Sequence, residues 1–235
     1  MQRPELRKSE NIFNRVMVKD NIAIVTLLEH VDTGDRLVVA NAHLHWDPAF
    51  CDVKLIQTAL MLEEIESLLV KWNRKYALTE AYTAQIPAIV EAIPLLICGD
   101  FNSLPDSGVV ELMSAGHVEA DHRDLLSYDY DPLTDKGLNH KLQLMSAYQH
   151  ISDMDFTNFT PTFKGVIDYI WHNTSTLGVT GLLSKVDKKY ALNCVGFPNA
   201  HHPSDHIPIV VSLRLKHQSL QNGKKVSFNN SNNRN

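Results

Sequence analysis

The chain has 235 residues, of which 44% are hydrophobic, and its formal net charge is −5 with a pI near 6.2. This length and hydrophobic content suffice for one domain with a substantial core. The acidic balance excludes a strongly basic, non-specific nucleic-acid binder, so any RNA substrate would have to be held by metal ions and a local patch.

The cysteines and the apolar runs indicate where the protein works. Its three cysteines are far apart and show no CxxC spacing, which argues against a disulfide framework or a structural zinc site. No apolar run reaches the length of a membrane span, and residues 1–6 lack a signal-peptide core. We therefore predict an intracellular protein of the cytoplasm, with the nucleus as a further location and with no membrane partner.

The first predicted elements are two strands and a helix. Residues 21–28 and 37–42 are rich in β-branched side chains and flank an Asp-Thr-Gly-Asp turn, which predicts an antiparallel hairpin. Between residues 53 and 72, apolar side chains recur every three or four positions, which predicts an amphipathic helix with Asp52 as its N-cap. Its predicted polar face carries Lys54, Thr58, Glu64 and Lys71. The short apolar run 93–98 then predicts a strand buried on both faces.

The second half of the chain predicts more strands and one short helix. The short helix is predicted to begin after a cap at Asp106 or Ser107. Residues 120–160 are polar and interrupted by proline, glycine and several aspartates, which is typical of loops. The apolar runs 165–171 and 207–215 predict two further strands. Strands interleaved with helices, including antiparallel pairs, predict an α/β (α+β) fold built as a layered sandwich.

Four short stretches place acids, amides or imidazoles at the end of an apolar run, where β-strands deliver side chains to a shared rim. They are Asn41-Ala42-His43-Leu44-His45-Trp46-Asp47-Pro48, Cys98-Gly99-Asp100-Phe101-Asn102-Ser103, Val166-Ile167-Asp168-Tyr169-Ile170 and Pro203-Ser204-Asp205-His206. Together they supply the parts of a metal-assisted phosphodiester hydrolase.

The carboxylates and the imidazole of these stretches have distinct uses. Asp100 and Asn102 lie two residues apart at the end of a predicted strand, so their side chains project to the same side. The carboxylate could bind a hard cation, and the amide could orient a phosphate or a water molecule. Taken alone, that pair is also typical of an ordinary turn, and Asp205-His206 of an ordinary loop. Asp168 interrupts an apolar strand, and a buried carboxylate needs a partner. His206 is the natural partner, since an Asp–His pair fixes the imidazole tautomer and raises its basicity.

The remaining candidates concern the substrate. His43 and His45 alternate along one strand and point to opposite faces, and we favour His43 as the substrate-facing one. A proline ring opposite a phenylalanine, as Pro48 and Phe163 offer, supplies two apolar surfaces for a flat base. As single residues both are typical of structural positions. Trp46 is predicted to pack, with base stacking as the alternative.

The order and chemistry of the four stretches resemble the endonuclease/exonuclease/phosphatase superfamily over residues 15–215. Pro48 with the stretch Asp52-Val53-Lys54-Leu55-Ile56-Gln57 resembles its poly(A) deadenylase branch, the carbon catabolite repressor type. The resemblance implies a two-sheet α/β sandwich flanked by helices and a Mg²⁺-dependent 3′–5′ exoribonuclease that removes poly(A) from mRNA. The implied partners are poly(A) RNA and, if the full-length protein carries a leucine-rich repeat module, the scaffold proteins of a deadenylase complex.

The resemblance also assigns roles to residues. The implied catalytic residues are Asp100, Asn102, Asp168 and His206. The implied metal-site residues are Asp100, Asn102 and Asp205. The implied substrate-binding residues are His43, Pro48 and Phe163. Among the last group, His43 is expected to contact phosphate while Pro48 and Phe163 sandwich a base.

The chain departs from the family at its front. Family members carry an early strand ending in a catalytic Asn, and a later Gln-Glu pair whose Glu is the main metal ligand; no residue of segment 1–14 matches either. We expect a poorly defined lead segment over 1–14, the C-terminal portion of the nuclease domain over 15–215, and a disordered basic, Asn-rich tail over 216–235. We also expect an N-terminally truncated chain that, by itself, is aggregation-prone and shows no magnesium-dependent poly(A) hydrolysis.

Two other functions stay open at this point. One is another hydrolase of the superfamily, acting on abasic DNA, inositol phosphates or sphingomyelin. The other is a non-catalytic fragment or interaction protein that keeps part of the fold.

Overall fold

The structure of the protein is a computed structural model. It describes residues 9–76, 93–126, 128–131, 133–149 and 154–216, with side chains as far as residue 72 in the first range. Most of the predicted lead segment and nearly all of the predicted tail therefore lie outside the described residues.

The described residues form eleven strands and three α-helices. The strands are β1 (Ala23–Glu29), β2 (Arg36–His43), β3 (Leu95–Asp100), β4 (His117–Val118), β5 (Leu138–Asn139), β6 (Leu144–Ser146), β7 (Asn158–Phe159), β8 (Lys164–Gly165), β9 (Asp168–Asn173), β10 (Leu177–Leu182) and β11 (Val211–Leu215). The helices are α1 (Cys51–Tyr76), α2 (Gly108–Ala115) and α3 (Lys188–Leu192). This mixture of sheets and helices confirms the predicted α/β class.

A five-stranded sheet in the order β1-β2-β3-β9-β6 forms the centre of the fold. The predicted hairpin is confirmed, because β1 pairs antiparallel with β2. Strand β2 runs parallel to β3, and β9 runs antiparallel to β3 and to β6. The crossover from β2 to β3 is made through α1, as parallel neighbours require a long connection.

Helices α1 and α2 cover one face of this sheet, and the main hydrophobic core lies between the helices and the sheet. The predicted amphipathic helix is confirmed, since its apolar residues Leu55, Leu62, Ile65 and Leu69 are almost fully buried. The predicted polar face is wrong in its first turns. Lys54 is only 5% exposed and Thr58 is fully buried. Periodicity marks which side chains can face a core, but it misses a polar side chain that faces a cavity or a neighbouring loop.

Asp52 does not cap α1, contrary to the prediction. It is fully buried and receives two hydrogen bonds from the Arg15 guanidinium, at 2.8 and 3.0 Å. The 3₁₀ turn Pro48–Phe50 continues directly into α1, and the cap is Asp47, whose side chain accepts from the Ala49 N–H. A buried carboxylate needs such a bidentate partner, which lies 37 residues earlier in the chain.

The second half of the chain confirms α2, which begins after the predicted cap Ser107. The stretch 120–160 is mostly irregular, as predicted, but it also contributes β6 to the edge of the main sheet. The strand predicted at 207–215 begins only at Val211, and the one predicted at 165–171 is interrupted before Asp168. Strand β10 and helix α3 were not predicted.

Strands β10 and β11 form a separate antiparallel ribbon. Its leucines and those of β1, β2 and β3 line a cavity of about 340 Å³ between the ribbon and the sheet face that the helices leave free. No helix among the described residues is long and apolar enough to cross a membrane.

Candidate active site

Three neighbouring strands of the main sheet bring their polar ends together. In the β2–β3 pairing, His43 is the partner of Asp100, and in the β3–β9 pairing Asp100 is the partner of Asp168. Cross-strand partners point to the same face of a sheet, about 5 Å apart. These side chains therefore form one row on the face opposite the helices, as the sequence stretches suggested.

His206 joins this row from the loop before β11. A β-bridge between Asn158 and His206 holds that loop against β7. The His206 Nδ1 lies 2.8 Å from Asp168 Oδ2, and its Nε2 lies 3.8 Å from Asp100 Oδ2. The Asp–His contact inferred from the sequence is thus present, and Asp100, Asp168 and His206 offer ligand atoms within 4.8 Å of one another.

The sequence predicts Asp168 inside an apolar strand. In the structure, Asp168 is instead the first residue of β9. Its carboxylate is 17% exposed, and its backbone N–H donates to Thr157 Oγ1 at 3.0 Å. Burial lowers the pKa of His206, but the hydrogen bond and charge of Asp168 outweigh burial, so the pKa is raised above the ordinary 6.5. An Asp168 carboxylate therefore orients the imidazole and favours its protonated form.

Asp100 and Asn102 form a tight turn after β3. The Asn102 N–H donates to Asp100 Oδ1 at 2.8 Å, and its side-chain Nδ2 donates to the Leu44 carbonyl at 3.0 Å. Burial raises the pKa of Asp100, and the charge of the nearby Asp168 raises it further. The hydrogen bond from the Asn102 N–H lowers this pKa, but the net shift is upward. The turn thus holds a partly buried carboxylate whose charge is poorly compensated by the residues around it.

Asp205 and His43 lie at the edge of the cluster. The Asp205 Oδ2 accepts from Asn158 Nδ2 at 3.0 Å, and its carboxylate is not part of the three-residue group. The His43 side chain is 70% exposed, with Nε2 at 3.5 Å from Asp100 Oδ2. Asp205 therefore lines the same cavity as Asp100, and His43 is accessible to a ligand in that cavity.

All of the sequence-predicted site residues except Asp168 line one open cavity of about 730 Å³. Pro48 and Phe163 both line it, and Phe163 is 39% exposed. Trp46 lines it too and is 69% exposed, so the prediction that Trp46 packs is wrong, and its position is compatible with the alternative of base stacking. Apolar rings therefore surround a polar floor, which is an arrangement suited to a nucleotide.

The sequence reasoning missed several residues of this cavity. Lys54 and Arg123 contribute cations, and Asn158 holds both Asp205 and the loop of His206. Arg123 is 65% exposed and contacts Asp106, whereas Lys54 is buried. A sequence signal for Lys54 existed, since it follows Pro48 in the stretch that carries the family resemblance.

A family model described as "Endonuclease/Exonuclease/phosphatase family" matches residues 65–206. Among curated proteins, the CCR4-Not complex 3′-5′-exoribonuclease subunit Ccr4 of Mycosarcoma maydis is 47% identical over 221 residues, which is 92% of this chain and 33% of that protein. The subunit of the same name from Schizosaccharomyces pombe is 44% identical over 93% of this chain and 32% of its own length. The chain thus spans about a third of the length of these relatives.

Solved structures match the fold at lower identity. The crystal structure of ANGEL2, a 2′,3′-cyclic phosphatase, in complex with adenosine-2′,3′-vanadate superposes with a TM-score of 0.68 at 22% identity, covering 91% of this chain and 64% of that one. The human Nocturnin catalytic domain with bound sulfate anion gives a TM-score of 0.54 at 21% identity, covering 84% and 54%. The matched residues hold β3, β9 and the Asp100–Asp168–His206 cluster, and the chain belongs to the endonuclease/exonuclease/phosphatase family.

Proposed function

We propose that the chain carries the phosphodiesterase site of a magnesium-dependent 3′–5′ exoribonuclease that removes poly(A) from mRNA. The observation that carries this proposal is the Asp100–Asp168–His206 cluster at the floor of an aromatic-rimmed cavity. The identity of 40–47% with proteins named as 3′-5′-exoribonuclease subunits supports the choice of substrate.

His206 is suited to proton transfer. Asp168 Oδ2 accepts a hydrogen bond from the Nδ1–H, which leaves Nε2 as the atom that can take a proton from water or hold one near a phosphate oxygen. Because Nε2 lies on the side of Asp100, the proton-accepting atom and the acidic centre face the same space. The pair can therefore bind and orient an attacking water.

The donor set fits a hard divalent cation, which nucleases of this family use. The Asp100 carboxylate is partly buried, and neither imidazole beside it comes within hydrogen-bond distance. Asp100 would hold Mg²⁺, with Asn102 and Asp205 as further oxygen donors in the same cavity. When bound, the ion supplies positive charge beside a phosphate oxygen.

The cavity walls suit a base. Pro48 and Phe163 present apolar rings to the space above the acidic floor, and the exposed Trp46 adds a third. Stacking tolerates any base, so a preference for adenine depends on how closely the two walls approach it. We propose that these rings hold a terminal adenine while His43 meets its phosphate.

Partners follow from the relatives rather than from the site. The matched Ccr4 proteins are named as subunits of a CCR4-Not complex. We propose that the full-length protein joins deadenylase scaffold proteins, through a leucine-rich repeat module if it carries one. The cytoplasmic and nuclear location and the domain boundaries remain predictions.

One observation favours a non-catalytic alternative. Within the described part of the chain, no glutamate joins the acidic cluster, so Asp100 is supported by few anionic donors. A weak metal site would leave a fold that binds RNA without cleaving it.

The test compares two forms of the protein. One is the 235-residue chain, and the other is a chimera in which this chain replaces the matching region of the Schizosaccharomyces pombe relative. Each form is given 5′-labelled oligo(A), a mixed-sequence RNA and an abasic DNA duplex, with Mg²⁺ or with EDTA. The proposal predicts Mg²⁺-dependent shortening of oligo(A) from its 3′ end by the chimera.

The controls separate the alternatives. Asp121→Asn, an exposed acid outside the cavity, should cleave like the unchanged chimera. Cleavage of the abasic duplex in preference to oligo(A) would favour another hydrolase of the family. Binding of oligo(A) with no cleavage by either form would favour the non-catalytic alternative and contradict the proposal.

A further inference from the structure

A buried lysine lies in the floor of the candidate site. Lys54 is in the first turns of α1, is only 5% exposed, and lines the cavity together with Asp100 and Asn102. The other cation of the cavity lining, Arg123, is 65% exposed and contacts Asp106. Lys54 is therefore the cation that the fold itself fixes at this floor.

The Lys54 ammonium holds the turn that follows β3. Its Nζ donates to the backbone carbonyl of Asn102 at 2.7 Å. Asn102 has a φ of 47°, in the left-handed region that residues other than glycine seldom adopt. The same turn is tied to Asp100 through the Asn102 N–H and to Leu44 through the Asn102 side chain. Lys54 thus completes a three-point support for an unfavourable backbone conformation.

Fold stability does not account for a lysine at this position. Burial of an ammonium is costly, and buried ionic groups are often replaced by apolar side chains with no loss of stability. Burial lowers the pKa of Lys54, while the carboxylates of Asp124, Asp47 and Asp100 oppose that effect. A methionine would fill a similar volume without desolvating a charge, so the hydrogen bond to the Asn102 carbonyl is what distinguishes a lysine at this position.

We propose that Lys54 is a positioning residue: its ammonium fixes the Asn102 turn and thereby aims the Asp100 carboxylate and the Asn102 side chain into the cavity. The effect on rate rests on the proposed function, but the effect on the turn does not. Since Lys54 acts on the Asp100–Asn102 turn and not on the aromatic walls, its loss should lower kcat more than it raises KM.

The first measurement reads the turn directly. Hydrogen–deuterium exchange at the Asn102 amide is followed by mass spectrometry in the chimera. Lys54→Met should speed this exchange by about tenfold or more, because the turn opens more often, and should leave the buried amides of α1 unchanged. Lys54→Arg keeps a charged donor and should restore part of the protection. Lys71→Met, an exposed lysine of the same helix, should have no effect.

The second measurement tests how the loss of the Lys54 ammonium changes catalysis. In the chimera, Lys54→Met should lower kcat by about tenfold to hundredfold with little change in KM, since small misplacements of reacting groups cost that much. Unchanged exchange at Asn102 would overturn the inference even if oligo(A) is cleaved. A Lys54→Met chain that fails to fold while Lys71→Met folds would also overturn it. No cleavage by the unchanged chimera would instead contradict the proposed function and leave the exchange result to decide on Lys54.

Discussion

The face of the main sheet that α1 and α2 cover differs in burial from the β1 edge and the strand ends of the opposite face. The face covered by α1 and α2 carries Val38, Ala40, Ile97 and Trp171, none of which is more than 1% exposed. On the opposite face, Ile24 and Leu28 of β1 are 62% and 48% exposed, and the same face ends in the row of His43, Asp100 and Asp168.

This difference shows how the fold separates stability from chemistry. Close packing on the covered face fixes the backbones of β2, β3 and β9, and the register then sets where their last side chains lie. The strand ends of the opposite face, called the open face below, keep partly buried carboxylates and imidazoles. Substitutions among the buried residues of the first face should therefore change stability, and substitutions in the row of His43, Asp100 and Asp168 should change activity.

The largest expected effect is on the open face. Asp168→Asn in the chimera should lower the rate of oligo(A) cleavage by about 10²- to 10⁴-fold, because an amide keeps the shape but cannot balance an imidazolium. The circular dichroism spectrum and the melting temperature should barely change. Near-full activity of this variant, with Asp121→Asn as the matched control, would remove Asp168 from the site.

The next effect compares one substitution on both faces. Ile97→Ala should lower the free energy of unfolding by about 2–5 kcal/mol, since it leaves a cavity in a filled core. Ile24→Ala, one strand beyond β2, should change it by less than about 0.5 kcal/mol. Urea denaturation of the two variants measures both values. Equal losses would mean that the face carrying Ile24 is covered in solution, and the comparison would fail.

A smaller effect concerns the cavity wall. Phe163→Ala should reduce the preference for oligo(A) over oligo(U) more than it slows cleavage, because stacking is worth about 1–3 kcal/mol per base and takes no part in bond breaking. Competition between the two labelled oligonucleotides gives the ratio. An unchanged ratio, with cleavage slowed, would assign Phe163 to the catalytic geometry instead of the base.

The smallest expected effect is on the titration of His206. Its pKa is raised above 6.5 in the folded protein, so the pair with Asp168 contributes stability at pH values below 6.5 and loses it as pH rises through the folded pKa. A base at Nε2 must be neutral, so the cleavage rate should rise through the same pH range. NMR of the imidazole should show the pKa fall in Asp168→Asn; no change would break the proposed coupling.

Much of this arrangement is visible in the sequence. The β1–β2 hairpin, α1 and the Asp–His contact follow from local pattern and from the need of a carboxylate for a partner. What the sequence does not reveal are long-range partners. Asp52 is paired with Arg15, which lies 37 residues away along the chain. Asp205 is paired with Asn158, which lies 47 residues away.

Sequence periodicity also fails to predict which side chains at the candidate site are buried. Helical periodicity predicts that Lys54 faces solvent, whereas Lys54 is buried and donates to the turn after β3. The sequence predicts that Trp46 packs, whereas its side chain is exposed and lines the cavity. Both errors occur at the candidate site, where side chains are chosen for chemistry and local rules are expected to fail.

The central claim is that Asp168 and His206 act as one unit on the open face of the sheet. A double-mutant cycle in the chimera tests it, with oligo(A) cleavage rates for Asp168→Asn, His206→Ala and the double variant. The account predicts that the double variant is no slower than His206→Ala alone, because the role of Asp168 is exerted through the imidazole. Rate losses that multiply would show that the two residues act independently and would contradict the account.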